Sequence, residues 1–467
     1  MSRRTKLVCT IGPATLDRVD ELVAAGMDVA RINFSHGTPD EHARAAGRVR
    51  EADRVVSVLI DLPGPKIRIG DLADETLTLE AGEPFALRPA DERPADASGA
   101  HVTYAGLAAD VRPGDRILLA DGAVELRVVA TGDDVRTEVV RGGTIRPRAG
   151  VSVPSDRLSR PALTDADRAS LPRAASLGAD HIAQSFVRRA DDVAELRALL
   201  GPDGAPIVAK IETRSAVDDF DAILGVADAV MIARGDLGVE LPYEEVPILQ
   251  KQLVRRALDR GVPTIVATQM LESMITSPRP TRAETSDVAN AIFDGADAIL
   301  LSGETAIGEY PILAAEAAVR VAVLCEDQGS EYLADGAPAT DDTDADALAY
   351  SAVVLAQTDR DVAAIACYTR SGRTARILSS LRPRVPIIAF SPSASVVARL
   401  SLVHGVEPRS CVPPSARGGR LELMARLVGE DGGVPAGAAV VLVASTAEPG
   451  TGPNLLEVLR VGTGANS

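Results

Sequence analysis

Residues 206–236 read PIVAKIETRSAVDDFDAILGVADAVMIARGD, and the fold turns on how this stretch is read. "PIVAKIE" (206–212) and "AVMIARGD" (229–236) are short β-branched apolar runs. The segment between them has room for one crossover helix, so the unit reads as strand, helix, parallel strand. Both strands end in charge, Lys210 and Glu212 in the first and Arg234-Gly235-Asp236 in the second. Strand periodicity puts Lys210 and Glu212 on one face. Adjacent strands lie about 4.8 Å apart. The Glu212 and Asp236 carboxylates can therefore share one hard divalent cation whose other positions go to water and substrate oxygens. For any single pair, a buried Lys–Glu contact of purely structural role is the alternative.

The same rhythm extends in both directions. Further strands are expected at "KLVCTI" (6–11), "DVARINF" (28–34), "VVSVLID" (55–61), "HIAQSF" (181–186), "PTIVATQ" (263–269) and "AILLSGE" (298–304). Together with the first two they make eight, the number that closes a (β/α)8 TIM barrel in the α/β class. The long gap between the third and fourth strands is filled by alternating apolar and polar residues punctuated by "RPGD", "ADGA", "TGDD" and "RGG", which reads as an inserted small β domain, a lid of β-barrel type, over 71–150. Residues 1–70 and 151–330 then make a barrel of the usual size, about 250 residues. After the acidic stretch 327–346 the helix and strand patterns resume, so 340–467 is expected to be a separate open α/β domain.

Charge and cysteine usage narrow the function. The net charge is -17, spread over 66 Asp and Glu against 49 Lys and Arg, which argues against nucleic acid or an anionic membrane as partner. An anionic substrate must then be met by a local cluster of cations. The four cysteines are far apart with no C-x-x-C pair, which fits a reducing cytoplasm and offers no zinc site. No apolar run follows "MSRRTK" and none is long enough to span a bilayer, so neither an export signal nor a membrane span is expected. Low lysine content and acidic balance suit either a GC-rich genome or salt adaptation.

Other strand ends carry polar groups as well. Arg31, Asn33 and Ser35 alternate with Ile32 and Phe34, Thr268-Gln269 close the seventh strand, and Ser302-Gly303-Glu304 close the eighth. Five furnished strand ends on one rim point to a catalytic barrel mouth. In "TRSGRTA" (369–375), Thr369, Ser371, Gly372, Arg373 and Thr374 gather hydroxyls, a cation and backbone N–H groups at a helix start. That favours a phosphate, with a plain Ser N-cap as the bland alternative.

The segments "TKLVCTIGPAT", "GMDVARINFSHG", "AKIET", "MIARGDLGVELP", "ATQMLESMI" and "PTRAETSDVANAIFDGADAILLSGETAIGEYP" resemble, in order and over nearly the whole chain, the signature segments of the pyruvate kinase family. The resemblance implies phosphoryl transfer from phosphoenolpyruvate to ADP, giving pyruvate and ATP, in a cytoplasmic homotetramer dependent on Mg2+ or Mn2+. It assigns Lys210 to the migrating phosphoryl group and developing enolate, Arg31 to the phosphate, and Glu212 and Asp236 to the metal. Gly235, Asp236 and Thr268 would bind the substrate carboxylate. Arg68, Asn33, Ser35 and His36 would meet the nucleotide, and Thr268 and Ser302 would serve enolate protonation through water. The 369–375 loop would hold a phosphate of a phosphorylated sugar or nucleotide effector, with "AEPGTGPN" (447–454) closing beside it. Ile-Glu-Thr also resembles metal-dependent enolate lyases and aldolases, and a catalytically silent effector-binding homologue would keep the same fold. Arg31, Arg68 and the insertion count against the lyase, and intact Lys210, Glu212 and Asp236 against the silent binder.

One position departs from the family's commonest pattern. Members that need K+ hold it with groups matching Asn33, Ser35, Asp61 and the Leu62 carbonyl and read Asp-Thr-Lys-Gly-Pro-Glu-Ile-Arg-Thr, whereas this chain reads Asp-Leu-Pro-Gly-Pro-Lys-Ile-Arg-Ile over 61–69. Lys66 is one of only four lysines, beside 45 arginines. It resembles the built-in substitute for K+ of the K+-independent branch, so no K+ requirement is expected; a surface lysine near a hinge is the alternative.

Overall fold

Eight parallel strands close into a barrel in the computed structural model, which describes residues 3–52, 55–89, 94–154, 157–329, 331–334, 343–412, 419–430, 434–444 and 454–461. They are β1 (Lys6–Thr10), β2 (Val29–Asn33), β3 (Ser57–Leu62), β4 (His181–Val187), β5 (Ile207–Ile211), β6 (Ala229–Ala233), β7 (Thr264–Ala267) and β8 (Ala298–Leu301). Each pairs with its sequence neighbours, and β1 pairs with β8 through Lys6↔Ala298 to Cys9↔Leu301. The strands are apolar on both faces because both are buried. Val8, Leu59, Val208, Met231 and Leu300 fill the barrel interior, while their neighbours Cys9, Ile60, Ala209, Ile232 and Leu301 pack against the surrounding helices.

The strand ends are shorter than the sequence pattern suggests. Arg234–Glu240 is already helical, Thr268 and Gln269 sit at φ 71° and 54°, and Gly303–Ala306 is a helical turn.

The insertion forms a seven-stranded sheet running Ile67–Arg68, Gly150–Ser152, Arg116–Leu119, Val124–Ala130, Val135–Arg141, Pro84–Arg88, Gly99–His101. An Ile69–Val102 bridge, with Gly70 N donating to the His101 carbonyl at 2.9 Å, joins its two ends and curls it into a small barrel. Asp121, at φ 53° in the tip of a hairpin, faces the same cleft as Lys66 and Asp236, so the insertion stands over the catalytic rim.

The C-terminal sheet runs Val406–Ser410, Ile387–Ser391, Val362–Tyr368, Ala439–Ala444, Leu455–Arg460, the last strand antiparallel. Its two edge strands carry no clear strand signal. "VEPRS" contains a proline, tolerated at an edge, and "LLEVLR" reads as readily as a helix. Asp297, just before β8, ties this unit to the barrel: its carboxylate accepts from His404 N at 3.1 Å and from Arg382 at 3.3 Å. Lys6 Nζ donates to the Val406 carbonyl at 2.7 Å. Of the 447–454 loop, 447–453 lie outside the described residues. Among those described, no helix is long and apolar enough to cross a membrane, and all four cysteines are free.

Candidate active site

At the C-terminal rim, β2, β3, β4 and β5 bring four of their side chains into one buried charge cluster. Arg31 Nε donates to Asp61 Oδ2 at 2.7 Å, and its guanidinium also reaches Thr10 Oγ1 at 2.9 Å. Asp61 Oδ1 faces Lys210 Nζ at 3.3 Å. Lys210 donates to Ser185 Oγ at 2.8 Å and lies 2.9 Å from Glu212 Oε1. Ser185 in turn donates to the Leu62 carbonyl at 2.7 Å. Positive and negative groups therefore alternate across the strands, and each fixes the next.

Burial sets the electrostatics. Desolvation alone would raise the Asp61 carboxyl, but Lys210 and Arg31 outweigh it and hold it below the ordinary range. Burial would lower the Lys210 ammonium, yet Asp61 and Glu212 overcome that and raise it, so it stays a fixed cation. Glu212 moves the other way: burial raises it against the pull of Lys210, and Asp236 pushes it further. A carboxylate held in this way gains from any added positive charge.

Glu212 Oε2 accepts from Phe186 N at 2.8 Å, while Oε1 is buried and accepts no hydrogen bond. Its contact with Lys210 is one of charge at short range. With Asp236 on the same small cavity, the two carboxylates fit a hard divalent cation. Among the described residues no group of three or more His, Cys, Asp or Glu could hold a metal. The donor set is thus two carboxylates, which suits an ion that keeps water and substrate oxygens.

Thr268 is held from two directions. Its Oγ1 accepts from Gly235 N at 2.7 Å, and its carbonyl accepts from Arg234 at 2.8 Å. A Cβ at residue 235 would come within 3.3 Å of Thr268 Oγ1, so glycine there permits the close approach. The Gly235 N–H, expected to be open to a substrate, is engaged by Thr268. Arg234 lines the cleft with Asp236 but is engaged by Asp287 at 2.7 Å and Gln250 at 3.1 Å; strand periodicity could not separate it from the other site charges. Ser302 N donates to the fully buried Glu304 at 2.7 Å. Ser185 and Thr10 were not anticipated either. A polar residue inside the apolar run "HIAQSF" was the signal for Ser185.

Asn33, His36 and Ser302 line a cavity of about 500 Å³ with Gly12, Pro13 and Arg31. Asn33 Oδ1 accepts from Ser35 N at 3.0 Å. Burial lowers the His36 imidazole, and Arg68, Arg31 and Lys66 lower it further, which marks three cations converging on this side. Arg68 donates to the Arg148 carbonyl of the insertion at 3.0 Å. Lys66 does not join Asn33, Ser35 and Asp61: its ammonium lies 3.3 Å from Asp236 Oδ1. In the distant 369–375 loop, Thr369 Oγ1 accepts from Gly372 N at 2.9 Å, and the helix Arg373–Ser380 begins at Gly372, φ 82°, with no side-chain cap. The N-cap position is thus a glycine, while the Thr369 and Ser371 hydroxyls still accept from N–H groups at the helix start. Ser371 Oγ lies 3.5 Å from Arg373 N, and Thr374 sits in the first turn.

The family model "Pyruvate kinase, barrel domain" matches residues 2–315, and "Pyruvate kinase, alpha/beta domain" matches 346–459. The chain belongs to the pyruvate kinase family. It is similar to the pyruvate kinase of Mycobacterium intracellulare, with 42% identity over 99% of both chains. It is also similar to that of Geobacillus stearothermophilus, at 41% over 98% of this chain and 80% of the relative, and that of Corynebacterium efficiens, at 43% over 88% of both. Its activity is accordingly phosphotransfer of the pyruvate kinase type. The lyase and the silent binder have no support in these matches.

Proposed function

We propose that the chain transfers the phosphoryl group of phosphoenolpyruvate to ADP, giving pyruvate and ATP, through the Arg31–Asp61–Lys210–Glu212 cluster. The alternation of charge in that cluster is the observation that carries the reading. Two polyanions must meet, and fixed cations at the point of transfer offset their repulsion without reorganising. Arg31 would hold the phosphate and Lys210 would face the transferring group, its ammonium kept charged by Asp61 and Glu212. A terminal oxygen of ADP attacks phosphorus, the bond to the enol oxygen breaks, and the electron pair stays on the enolate. Glu212 and Asp236 would hold Mg2+ or Mn2+, which when bound supplies Lewis-acid charge to phosphoryl and enolate oxygens.

Thr268, with Asp236, would orient the substrate carboxylate, while Gly235, whose N–H donates to Thr268 Oγ1, would fix that threonine in place. The Thr268 and Ser302 hydroxyls would pass a proton through water to the enolate carbon. The cavity beside Asn33, Ser35 and His36, with Arg68 over it, would take the nucleotide, and the insertion would close as a lid that excludes competing water. Lys66 would supply the charge that K+ supplies elsewhere in the family. The segments 1–70 with 151–330, 71–150 and 340–467 would act as catalytic barrel, lid and regulatory unit. The 369–375 loop would hold a phosphate of a sugar or nucleotide effector, in a cytoplasmic homotetramer. Pyruvate formation from phosphoenolpyruvate and ADP, coupled to NADH oxidation, tests the reading. Turnover that requires both substrates and Mg2+ is expected; none at saturating substrates and metal would overturn it.

A further inference from the structure

Glu304 is 0% exposed. Both of its carboxylate oxygens accept from backbone: Oε1 from Leu271 N at 3.0 Å and Oε2 from Ser302 N at 2.7 Å. Among the described residues no Lys, Arg or His forms an ion pair with it. Its charged neighbours are acids, for Glu272 is raised by burial first and then by the charges of Glu304 and Glu284. A buried carboxylate without a counter-charge is costly. Of side chains this size, only a carboxylate presents two acceptors and no donor, so it can hold both N–H groups at once.

Those N–H groups belong to the two loops whose hydroxyls serve the enolate. Leu271 follows Thr268 and Gln269, at φ 71° and 54°, a region that residues other than glycine avoid. Arg234 holds the Thr268 carbonyl on one side of that kink, and Glu304 holds Leu271 on the other. Ser302 directly follows β8, whose pairing with β7 through Ala267↔Leu300 puts Thr268 and Ser302 at neighbouring levels of one rim. The loops are joined again further out. Glu309 N donates to the Ile275 carbonyl at 2.8 Å, and Gly303 packs so closely on Ile275 that a Cβ there would lie 2.9 Å from its side chain. The junction of the loops thus does not hang on Glu304, which adds a link at the level of the hydroxyls themselves.

On the reading that Thr268 and Ser302 pass the proton, we propose that Glu304 is a positioning residue for enolate protonation. Its carboxylate sets the two loops so that both hydroxyls hold the water that delivers the proton. That water gives a proton to the enolate carbon, the enolate electron pair forms the new C–H bond, and solvent restores the proton through the hydroxyls. Phosphoryl transfer runs at Arg31 and Lys210, on β2 and β5, and makes or breaks no C–H bond. The two steps should therefore respond differently to a change at Glu304.

Two rates, measured on the full chain, separate the steps. One is ATP formation in a single turnover of phosphoenolpyruvate and ADP with Mg2+, read by rapid quench. The other is exchange of pyruvate methyl protons in D2O with ATP and Mg2+, read by NMR, in which the proton path runs backwards. Glu304→Gln keeps the size but turns an NH2 group toward one of the two N–H groups. In it, methyl exchange should fall at least about tenfold while single-turnover ATP formation stays within about twofold of wild type. Glu304→Asp, which keeps the charge but is too short to reach both N–H groups, should show the same split and decides the matter where Glu304→Gln does not fold. Loss of both rates in equal measure, exchange near the wild-type rate, or failure of both variants to fold would make Glu304 a structural tie and overturn the proposal. Wild-type ATP formation without methyl exchange would overturn it too and leave phosphotransfer standing, whereas no ATP formation by wild type would overturn both.

Discussion

Asp61 stands between two catalytic-rim cations, 2.7 Å from Arg31 Nε and 3.3 Å from Lys210 Nζ, and is 1% exposed. Replacing it with Asn keeps the shape and removes the charge that lets both cations be buried. Breaking a buried pair of this kind costs about 3–5 kcal/mol, so Asp61→Asn should lower Tm as well as kcat. The folded carboxyl lies below its unfolded value. Its stabilisation is therefore fully present above the unfolded pKa, near about 3.9, and is lost as pH falls through the lower folded value. Urea unfolding from neutrality down through that acidic range should show a steeper acid limb in wild type than in Asp61→Asn. Parallel limbs would mean that Asp61 contributes nothing through its charge.

Lys210→Met should lower kcat by at least about a hundredfold, since a group aimed at transition-state charge is worth that much. Phosphoenolpyruvate binding should largely survive. Metal binding should become more dependent on pH. Lys210 is the group that pulls Glu212 down against burial and Asp236, so without it Glu212 takes up a proton at higher pH and becomes a poorer ligand. Mn2+ titrations followed by electron paramagnetic resonance would show this as an affinity that falls with decreasing pH faster than in wild type. A kcat near wild type would remove Lys210 from the mechanism.

Arg234→Lys separates positioning from catalysis. The guanidinium spans the Thr268 carbonyl and Asp287, at 2.8 and 2.7 Å, and a single ammonium cannot hold both in that geometry. Thr268 sits at φ 71°, an unfavourable conformation that depends on such support. Misplacing a binding group by about 1 Å can cost on the order of a hundredfold. A drop in kcat of that order is expected, with the Mg2+ titration unchanged; a shifted metal requirement would place Arg234 at the metal instead.

The barrel was legible because eight apolar runs alternate with helical patterns, and Lys210, Glu212 and Arg31 because charge at the end of such a run has few other uses. Contacts set by register were not legible. Asp61 was expected only around a monovalent cation, yet the pairings Asn33↔Asp61 and Ala183↔Asp61 place it among β2, β3 and β4 with Lys210 one strand further. Arg234 and Asp236 are two residues apart and read as one charged tip. Both line one cleft, but the helix that begins at Arg234 turns the first to Asp287 and the Thr268 carbonyl and the second to Lys66, a split that strand periodicity cannot express. "LLEVLR" failed for the opposite reason: an edge strand with an exposed face need not carry the pattern of a buried one.

Lys66 lies 3.3 Å from Asp236, each side chain about one-third exposed at 34% and 31%. At that exposure the contact itself is worth no more than about 1 kcal/mol, so its use lies in where it places charge. Lys66 lines two cavities that contain Asp236, one of them shared with Glu212. A glutamate at this position would add a third carboxylate to that cleft, a local change of about two charge units, and the deficit would have to be met by a monovalent cation. The ammonium meets it covalently on a flexible stem, whereas an arginine would be bulkier and spread the charge. Wild-type activity should be the same in K+, Na+ and tetramethylammonium buffers of matched ionic strength. Lys66→Glu should lose most of its activity in Na+ or tetramethylammonium and regain part of it in K+, and Lys66→Ala should fall between them. Steady-state assays across the three salts read this directly. Strong activation of the wild-type enzyme by K+ over Na+ would show that Lys66 does not replace the ion and only pairs with Asp236.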